Sequence, residues 1–364
     1  MAIAFQSLTI RNFRAIEHLE LTFPPGEDGH LVVIAGENGC GKTSVLEALL
    51  VALGRSDLLP PDRAPLEMQS RFGSGGFELT LELSVSGNTE VLVATPRTEA
   101  LADVMRRQTP IELAVAAASN EAGRDELAYW ARVRALNPQA EYFSSRREPE
   151  RLGETPDPRG VTSLRESNRI TELKRRLVSA YYRQLRTRGT YDSSRDAFRR
   201  ISTFLNEFSE RDRSLDVLPV SSDPGSGDDV IVREGPGREV LDYPSIAAAR
   251  EAAARGEGVP TLIPLDRLSS GELSILAFAG ALEFRDRPPD LVVIDEPELH
   301  LHAQWQRWII PKLMALRPTA TFAVATHSRD VVGSVMSSQR FLLRSDSGQA
   351  DGRSGVDDVE SQLQ

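Results

Sequence analysis

The octapeptide Gly36-Glu37-Asn38-Gly39-Cys40-Gly41-Lys42-Thr43 constrains this chain more than any other feature. It stands between an unbroken apolar run at residues 31–35, which reads as a strand buried on both faces, and residues 44–50, which have helical spacing. Glycines at these positions let consecutive backbone N–H groups point inward, and the helix start adds the positive end of its dipole. The spelling GxxxxGK[ST] therefore predicts a phosphate-binding loop. Gly36, Asn38, Gly39, Cys40, Gly41 and Ser44 would frame the anion, Lys42 would reach the β- and γ-phosphates of a nucleotide, and Thr43 would ligate Mg²⁺. Only Lys42, Lys174 and Lys312 are lysines, so a lysine at this place is not a by-product of composition.

Residues 291–296 (LVVIDE) read as an apolar strand ending in two carboxylates. Beside a phosphate loop, Asp295 is the metal-side candidate and Glu296 the general base that orients or deprotonates an attacking water. Upstream, Leu268-Ser269-Ser270-Gly271-Glu272 heads an apolar helix. Ser269 with Glu272 three positions on reads as a capping box, and the helix start with its glycine makes a second anion nest. Downstream, residues 321–326 form another buried strand, closed by His327. His300 and His302 stand at i and i+2 without a convergent third ligand, so a contact loop is preferred to a zinc site.

Cys40 is the only cysteine, which excludes an intrachain disulfide and a cysteine-based zinc site. No apolar run reaches the ~18 residues needed to span a bilayer, and the first 13 residues alternate like a strand instead of a signal peptide. A cytoplasmic protein without membrane contact is expected. The net charge of −10 argues against a chain that coats nucleic acid indiscriminately. Yet residues 146–213 hold 17 Lys+Arg against 11 Asp+Glu, and Lys174-Arg175-Arg176, Arg195, Arg199 and Arg200 are candidates for contact with DNA or RNA phosphates. A solvated helix face is the commoner use of such runs.

The patterning divides the chain into 1–98, the first half of a nucleotide-binding head; 99–214, an inserted helical lobe; 215–344, the second half of the head; and 345–364, an acidic tail of disordered composition. Residues 148–160 read as a linker, and Phe198, Ile201, Phe204, Leu205 and Phe208 form an apolar stripe at helical spacing. No sustained heptads mark long coiled-coil arms.

Together these motifs resemble an ATP-binding-cassette ATPase. LSSGE is similar to the signature motif LSGGQ, VVIDEPELHLH to the Walker B strand and D-loop, and THS to the switch histidine. The DEPELHLH and ATHS spellings resemble the OLD (overcoming lysogenization defect) family and related stand-alone AAA-type ATPases, among them ATPase subunits of bacterial phage-defence systems. The resemblance covers roughly residues 1–95 and 260–344. It implies an α/β fold: a P-loop NTPase of the ABC-type head with mixed β-sheets and an inserted helical lobe.

It further implies a sandwich in which ATP on the phosphate loop of one copy is closed by Ser269 and Gly271 of another. A homodimer or higher assembly follows, because the chain has one phosphate loop. His327 would sense the γ-phosphate, and Gln139 is the candidate for the glutamine that couples the lobes. No Toprim-like acidic cluster follows the last strand, so a nuclease or other effector would be a separate chain. Two alternatives stand beside this reading. One is a RecF-like DNA-repair ATPase, from whose Walker B pattern DEPELHLH departs. The other is an ATP-binding scaffold that scarcely hydrolyses.

Overall fold

The computed structural model describes residues 3–24, 31–60, 69–71, 73–119, 123–145, 169–186, 193–209, 212–223, 227–234, 243–257, 259, 261–285 and 287–343. The linker expected at 148–160 and the tail expected at 345–364 lie outside the described residues. Two compact units share the chain: 1–146, 287–299 and 306–364 make the first, and 147–286 with 300–305 make the second.

In the first unit, β1 (Ile3–Phe13) and β2 (Ile16–Thr22) alternate core and solvent residues and pair antiparallel. Next come β3 (Leu31–Ala35), buried at every position, and α1 (Lys42–Ala52). β4 (Glu78–Val85) and β5 (Asn88–Ala94) turn tightly at Gly87, whose φ of +86° suits glycine, and complete a four-stranded sheet in the order β2-β1-β4-β5.

Helices α2 (Pro96–Ala100), α3 (Ala102–Met105), α4 (Pro110–Ser119) and α5 (Arg124–Leu136) follow, then β6 (Ala140–Phe143). α5 closes the far end of α1. The Tyr129 hydroxyl donates to the Val51 and Ala52 carbonyls at 3.0 and 3.2 Å, at the carboxyl end of the helix. Fully buried Trp130 donates to the Thr98 carbonyl at 2.9 Å. Beside it Glu99 is buried; Ser56 donates to its Oε2 at 2.6 Å, and Arg106 donates to Ser56 in turn.

The second unit holds α6 (Arg169–Arg186), α7 (Ser193–Asn206), β7 (Arg213–Pro219), β8 (Asp228–Glu234), α8 (Ile246–Ala254), β9 (Thr261–Pro264) and α9 (Ser270–Glu283). Its three strands pair antiparallel in the order β7-β8-β9. The stripe on α7 is the reason that helix docks: Ile201, Phe204, Leu205 and Phe208 are all buried. α6 and α9 approach so closely that a Cβ on Gly280 would meet Leu173 at 2.6 Å.

Charge neutralisation marks the basic helices. Lys174 pairs with Asp229 at 2.6 Å and with Asp266; Arg175 and Arg176 share Glu172; Arg200 holds Glu283 at 2.7 Å. Four of the cations considered for nucleic acid thus already have acidic partners.

Back in the first unit, β10 (Leu291–Asp295), β11 (Thr321–Thr326) and β12 (Arg340–Leu342) complete a parallel sheet in the order β12-β3-β11-β10-β6, with α10 (Ala303–Leu316), which belongs to this unit from Gln306 on, and α11 (Arg329–Gly333) between the strands in sequence. α1 is apolar nearly all round because it lies between this sheet and the antiparallel one, touching β1 and β4 as well as β10 and β11. This is an α/β head with one parallel and one antiparallel sheet, as the sequence predicts. Among the described residues no helix is long and apolar enough to cross a membrane.

Candidate functional site

Parallel pairing sets the site. Ala35 faces Thr326 across the β3–β11 ladder, and Asp295 faces Ala325 across β10–β11. The segments leaving β3, β10 and β11 therefore emerge together at the carboxyl edge of the sheet, where α/β proteins bind their ligands.

Leaving β3, the backbone at Gly36 passes so near the residue after β12 that a Cβ would lie 2.4 Å from the Leu343 carbonyl oxygen. Gly41 caps α1 with φ +103°, a conformation side chains disfavour. Lys42 is 6% exposed, and its ammonium donates to the Gly36 and Glu37 carbonyls at 2.9 and 2.8 Å, arching over its own loop. Asn38, Gly39, Cys40 and Ser44 complete the loop and the first turn of α1. The Thr43 hydroxyl donates to Asp295 Oδ2 at 2.8 Å. A hydroxyl and a buried carboxylate meeting at a phosphate loop form the hard-oxygen donor set that suits Mg²⁺.

Glu296 follows in left-handed backbone, φ +52°, tied by its N–H to the Ala325 carbonyl at 2.8 Å. Burial and then the Asp295 charge push its carboxyl up; the His327 and Lys42 charges act the other way. A carboxylate raised in this manner holds a proton more readily than a solvated one, as a general base must. His327 begins the segment after β11, with Nδ1 3.6 Å from Glu296 Oε1 and 3.1 Å from Glu298 Oε1.

Glu298 escaped the sequence reading. It is buried, and its Oε1 accepts from the Thr326 hydroxyl at 2.7 Å, His327 N–H at 2.9 Å and Ser328 N–H at 3.2 Å. The signal in the sequence is a third carboxylate, Asp295-Glu296-Pro297-Glu298, followed 28 positions on by the hydroxyl of Thr326.

Ser269 and Gly271 belong to the second unit. Ser269 caps α9: its hydroxyl accepts from Glu272 N–H at 3.3 Å, while Glu272 Oε2 receives the Ser269 N–H at 2.8 Å. Burial acts upward on Glu272, yet bonds from Ser269 and from Arg213 prevail and hold its carboxyl below the usual range. Arg213 also binds Glu234 at 2.6 Å. Gly271 admits no side chain, since a Cβ would lie 2.8 Å from the His300 carbonyl and 3.2 Å from Trp305. His300 itself turns the chain with φ +64°. No cluster of three or more His, Cys, Asp or Glu with metal-binding geometry occurs among the described residues.

Lys42, Thr43, Asp295, Glu296 and His327 are thus gathered on the first unit, but Gln139 is not among them. It precedes β6, where its N–H meets Asp290 at 2.8 Å and its carbonyl accepts from Asp290 and Leu291. That is the amino edge of the parallel sheet, the end opposite the phosphate loop, so the coupling-glutamine expectation is corrected. Gln139 precedes its strand in the sequence, but only the parallel pairing of β6 with β10 shows that this places it at the edge opposite the phosphate loop.

Comparison with known proteins sets this geometry among relatives. Residues 140–332, just over half of the chain, match the family described as "AAA domain, putative AbiEii toxin, Type IV TA system", and residues 7–112 match one described as "AAA domain". The DNA replication and repair protein RecF of Listeria monocytogenes is 36% identical over 89 residues, 22% of this chain and 23% of its own. The "Retron Ec83 probable ATPase" of Escherichia coli is 37% identical over 89 residues, covering 21% of this chain and 16% of its own. These matches span under a quarter of the length of either relative. An Smc head domain from Pyrococcus furiosus, bound to the C-terminal domain of ScpA, aligns over 92% of each chain at 11% identity and a TM-score of 0.46.

Proposed function

Because the chain belongs to the family described as "AAA domain, putative AbiEii toxin, Type IV TA system", we propose that it binds and hydrolyses ATP and uses that cycle to control a separate effector protein, such as a nuclease, in bacterial anti-phage defence. The observation that carries the ATPase reading is the 2.8 Å pairing of Thr43 with Asp295 beneath a loop whose lysine is already arched over it. Lys42 and the loop N–H groups would hold the β- and γ-phosphates, and Thr43 and Asp295 would hold Mg²⁺. Bound there, the metal would offset phosphate charge. Glu296 takes a proton from the attacking water, and His327 meets the terminal phosphate. The similarity to a retron probable ATPase supports this reading.

Ser269 and Gly271 of a second copy would close over the γ-phosphate, so the working form is a homodimer or larger assembly. The start of α9 at Ser269 with Gly271 beside it supports this reading, because a helix N-terminus favours an anion; the capping box is the role Ser269 would keep without it. The test is single-turnover ATP hydrolysis by the wild type and by Glu296→Gln, followed by sedimentation of the variant with and without ATP. Hydrolysis lost in the variant, with ATP-dependent self-association gained, is the expected result. Sedimentation unchanged by ATP would count against nucleotide-driven closure.

A RecF-like role in DNA repair is the second reading, favoured by the 36% identity with RecF. ATP-dependent binding to DNA junctions by the protein alone would favour it over effector control.

A further inference from the structure

Three hydrogen bonds join Ser269 to Glu272 at the start of α9. The Ser269 N–H and hydroxyl both donate to Glu272 Oε2, at 2.8 and 2.7 Å, and the Glu272 N–H donates to the hydroxyl oxygen at 3.3 Å. A hydroxyl has one proton, and here a carboxylate holds it. Ser269 is exposed, so an anion can approach it. The helix start attracts that anion, but a negative charge bonded to the same hydroxyl repels it.

Arg213 sits against the other side of that charge. Its guanidinium donates to Glu272 Oε1 and pairs with Glu234 at 2.6 Å. With Arg213 10% and Glu272 13% exposed at their side chains, water screens the pair little. The arginine is also fixed through its backbone. Its N–H donates to Asn206 Oδ1 at 2.9 Å, its carbonyl accepts from Asn206 Nδ2 at 2.5 Å, and it faces Glu234 across β7–β8. All of these residues belong to the second unit.

We infer that Arg213 is a positioning residue for the anion site at Ser269: it holds the Glu272 carboxylate by its far oxygen and offsets its charge, so that the serine hydroxyl can turn to a phosphate. The motif LSGGQ has a neutral glutamine where this chain has Glu272, and needs no such partner. The inference rests on the proposed closure of Ser269 over the nucleotide of a second copy.

The test measures ATP-dependent self-association by sedimentation, in a Glu296→Gln parent so that ATP persists, and single-turnover hydrolysis by the same variants without that change. Arg213→Ala should weaken association at least about tenfold and slow hydrolysis in step. Glu272→Gln keeps an oxygen for the Ser269 N–H and should associate as well as the parent. Together the two changes should match Glu272→Gln alone within about twofold, because the charge that Arg213 offsets is gone. Arg213→Lys, which keeps the cation, should retain most of the association.

A double variant as weak as Arg213→Ala would make Arg213 a strut between β7, β8 and α9, and overturns the proposal. So does unchanged association in folded Arg213→Ala. Should that variant not fold, Arg213→Gln with Glu272→Gln, set against Glu272→Gln alone, makes the same decision. A parent that neither associates with ATP nor hydrolyses it as wild type defeats the sandwich reading and this inference with it. An active parent without rescue in the double variant removes the inference alone.

Discussion

The Thr43 hydroxyl donates to the Asp295 carboxylate at 2.8 Å across 252 positions of chain. Neither residue could reach the other without β11, which lies between β3 and β10 and sets their carboxyl ends level. The bond joins the first turn of α1 to the strand carrying Glu296, so two segments with separate tasks share one anchor.

Lys42→Ala should abolish tight ATP binding without lowering the melting temperature. The ammonium's protein partners are two carbonyls of its own loop, so its loss leaves the core of α1 untouched. Titration calorimetry and thermal melts check this, and undiminished ATP affinity would remove the phosphate-loop assignment.

Gly36→Ala should be more damaging than its size suggests. The added methyl would press on the Leu343 carbonyl at 2.4 Å, a backbone atom that cannot rotate aside. An unfolding free energy lower by about 1–3 kcal/mol is expected, with ATP binding lost as the loop shifts. Urea unfolding and calorimetry on the same preparation measure both.

Composite sites predict complementation. Lys42→Ala and Ser269→Arg should each abolish hydrolysis, the first by losing nucleotide and the second by crowding the opposing γ-phosphate. Mixed in equal amounts with free exchange, about half of the dimers pair the two variants, and each such dimer has one intact site. Partial ATPase activity should return. An inactive mixture, without ATP-dependent cross-linking from Ser269 to the opposing loop, would leave Ser269 as a capping residue alone.

Glu99 should make stability depend on pH near neutrality. Burial raises its carboxyl from 4.5 to about 7, against the opposing Ser56 hydrogen bond and Arg106 charge. Between those values the folded protein keeps a proton that the unfolded chain has released. Stability is therefore full below about 4.5 and falls as pH rises through about 7, by on the order of 3 kcal/mol in total. Glu99→Gln should flatten this dependence and exceed the wild type in stability at pH about 8. Urea unfolding across the range reads the difference, and parallel curves for the two proteins would refute it.

The legible parts of this molecule were those written locally. Leu31–Ala35 and Leu291–Asp295 announce buried strands because every side chain is apolar until the functional residue arrives. The loop from Gly36 to Thr43 is a backbone requirement spelled out in glycines. Gln139 was misread because its edge of the sheet depends on β6 running parallel to β10, a property of pairing and not of sequence spacing. Glu298 was passed over for the same reason: its partners Thr326, His327 and Ser328 come alongside only when β10 pairs with β11. Glu99 gave no local sign either, since a glutamate early in a short helix usually faces water and this one is covered by α5 and Arg106.

The strand order of the parallel sheet also sets a timetable. β3 is made well before both its neighbours, β11 and β12, which lie near residue 330, roughly 300 positions later. At about 5–20 residues per second, that is a wait of roughly 15–60 s with an apolar strand lacking its sheet partners. The antiparallel sheet, built entirely from residues 3–94, needs no such delay and can already cover one side of α1. The loop from Gly36 to Thr43 gains its acidic and histidine neighbours only after Asp295, Glu296 and His327 have been made. The candidate site is thus assembled well after the antiparallel sheet beside it.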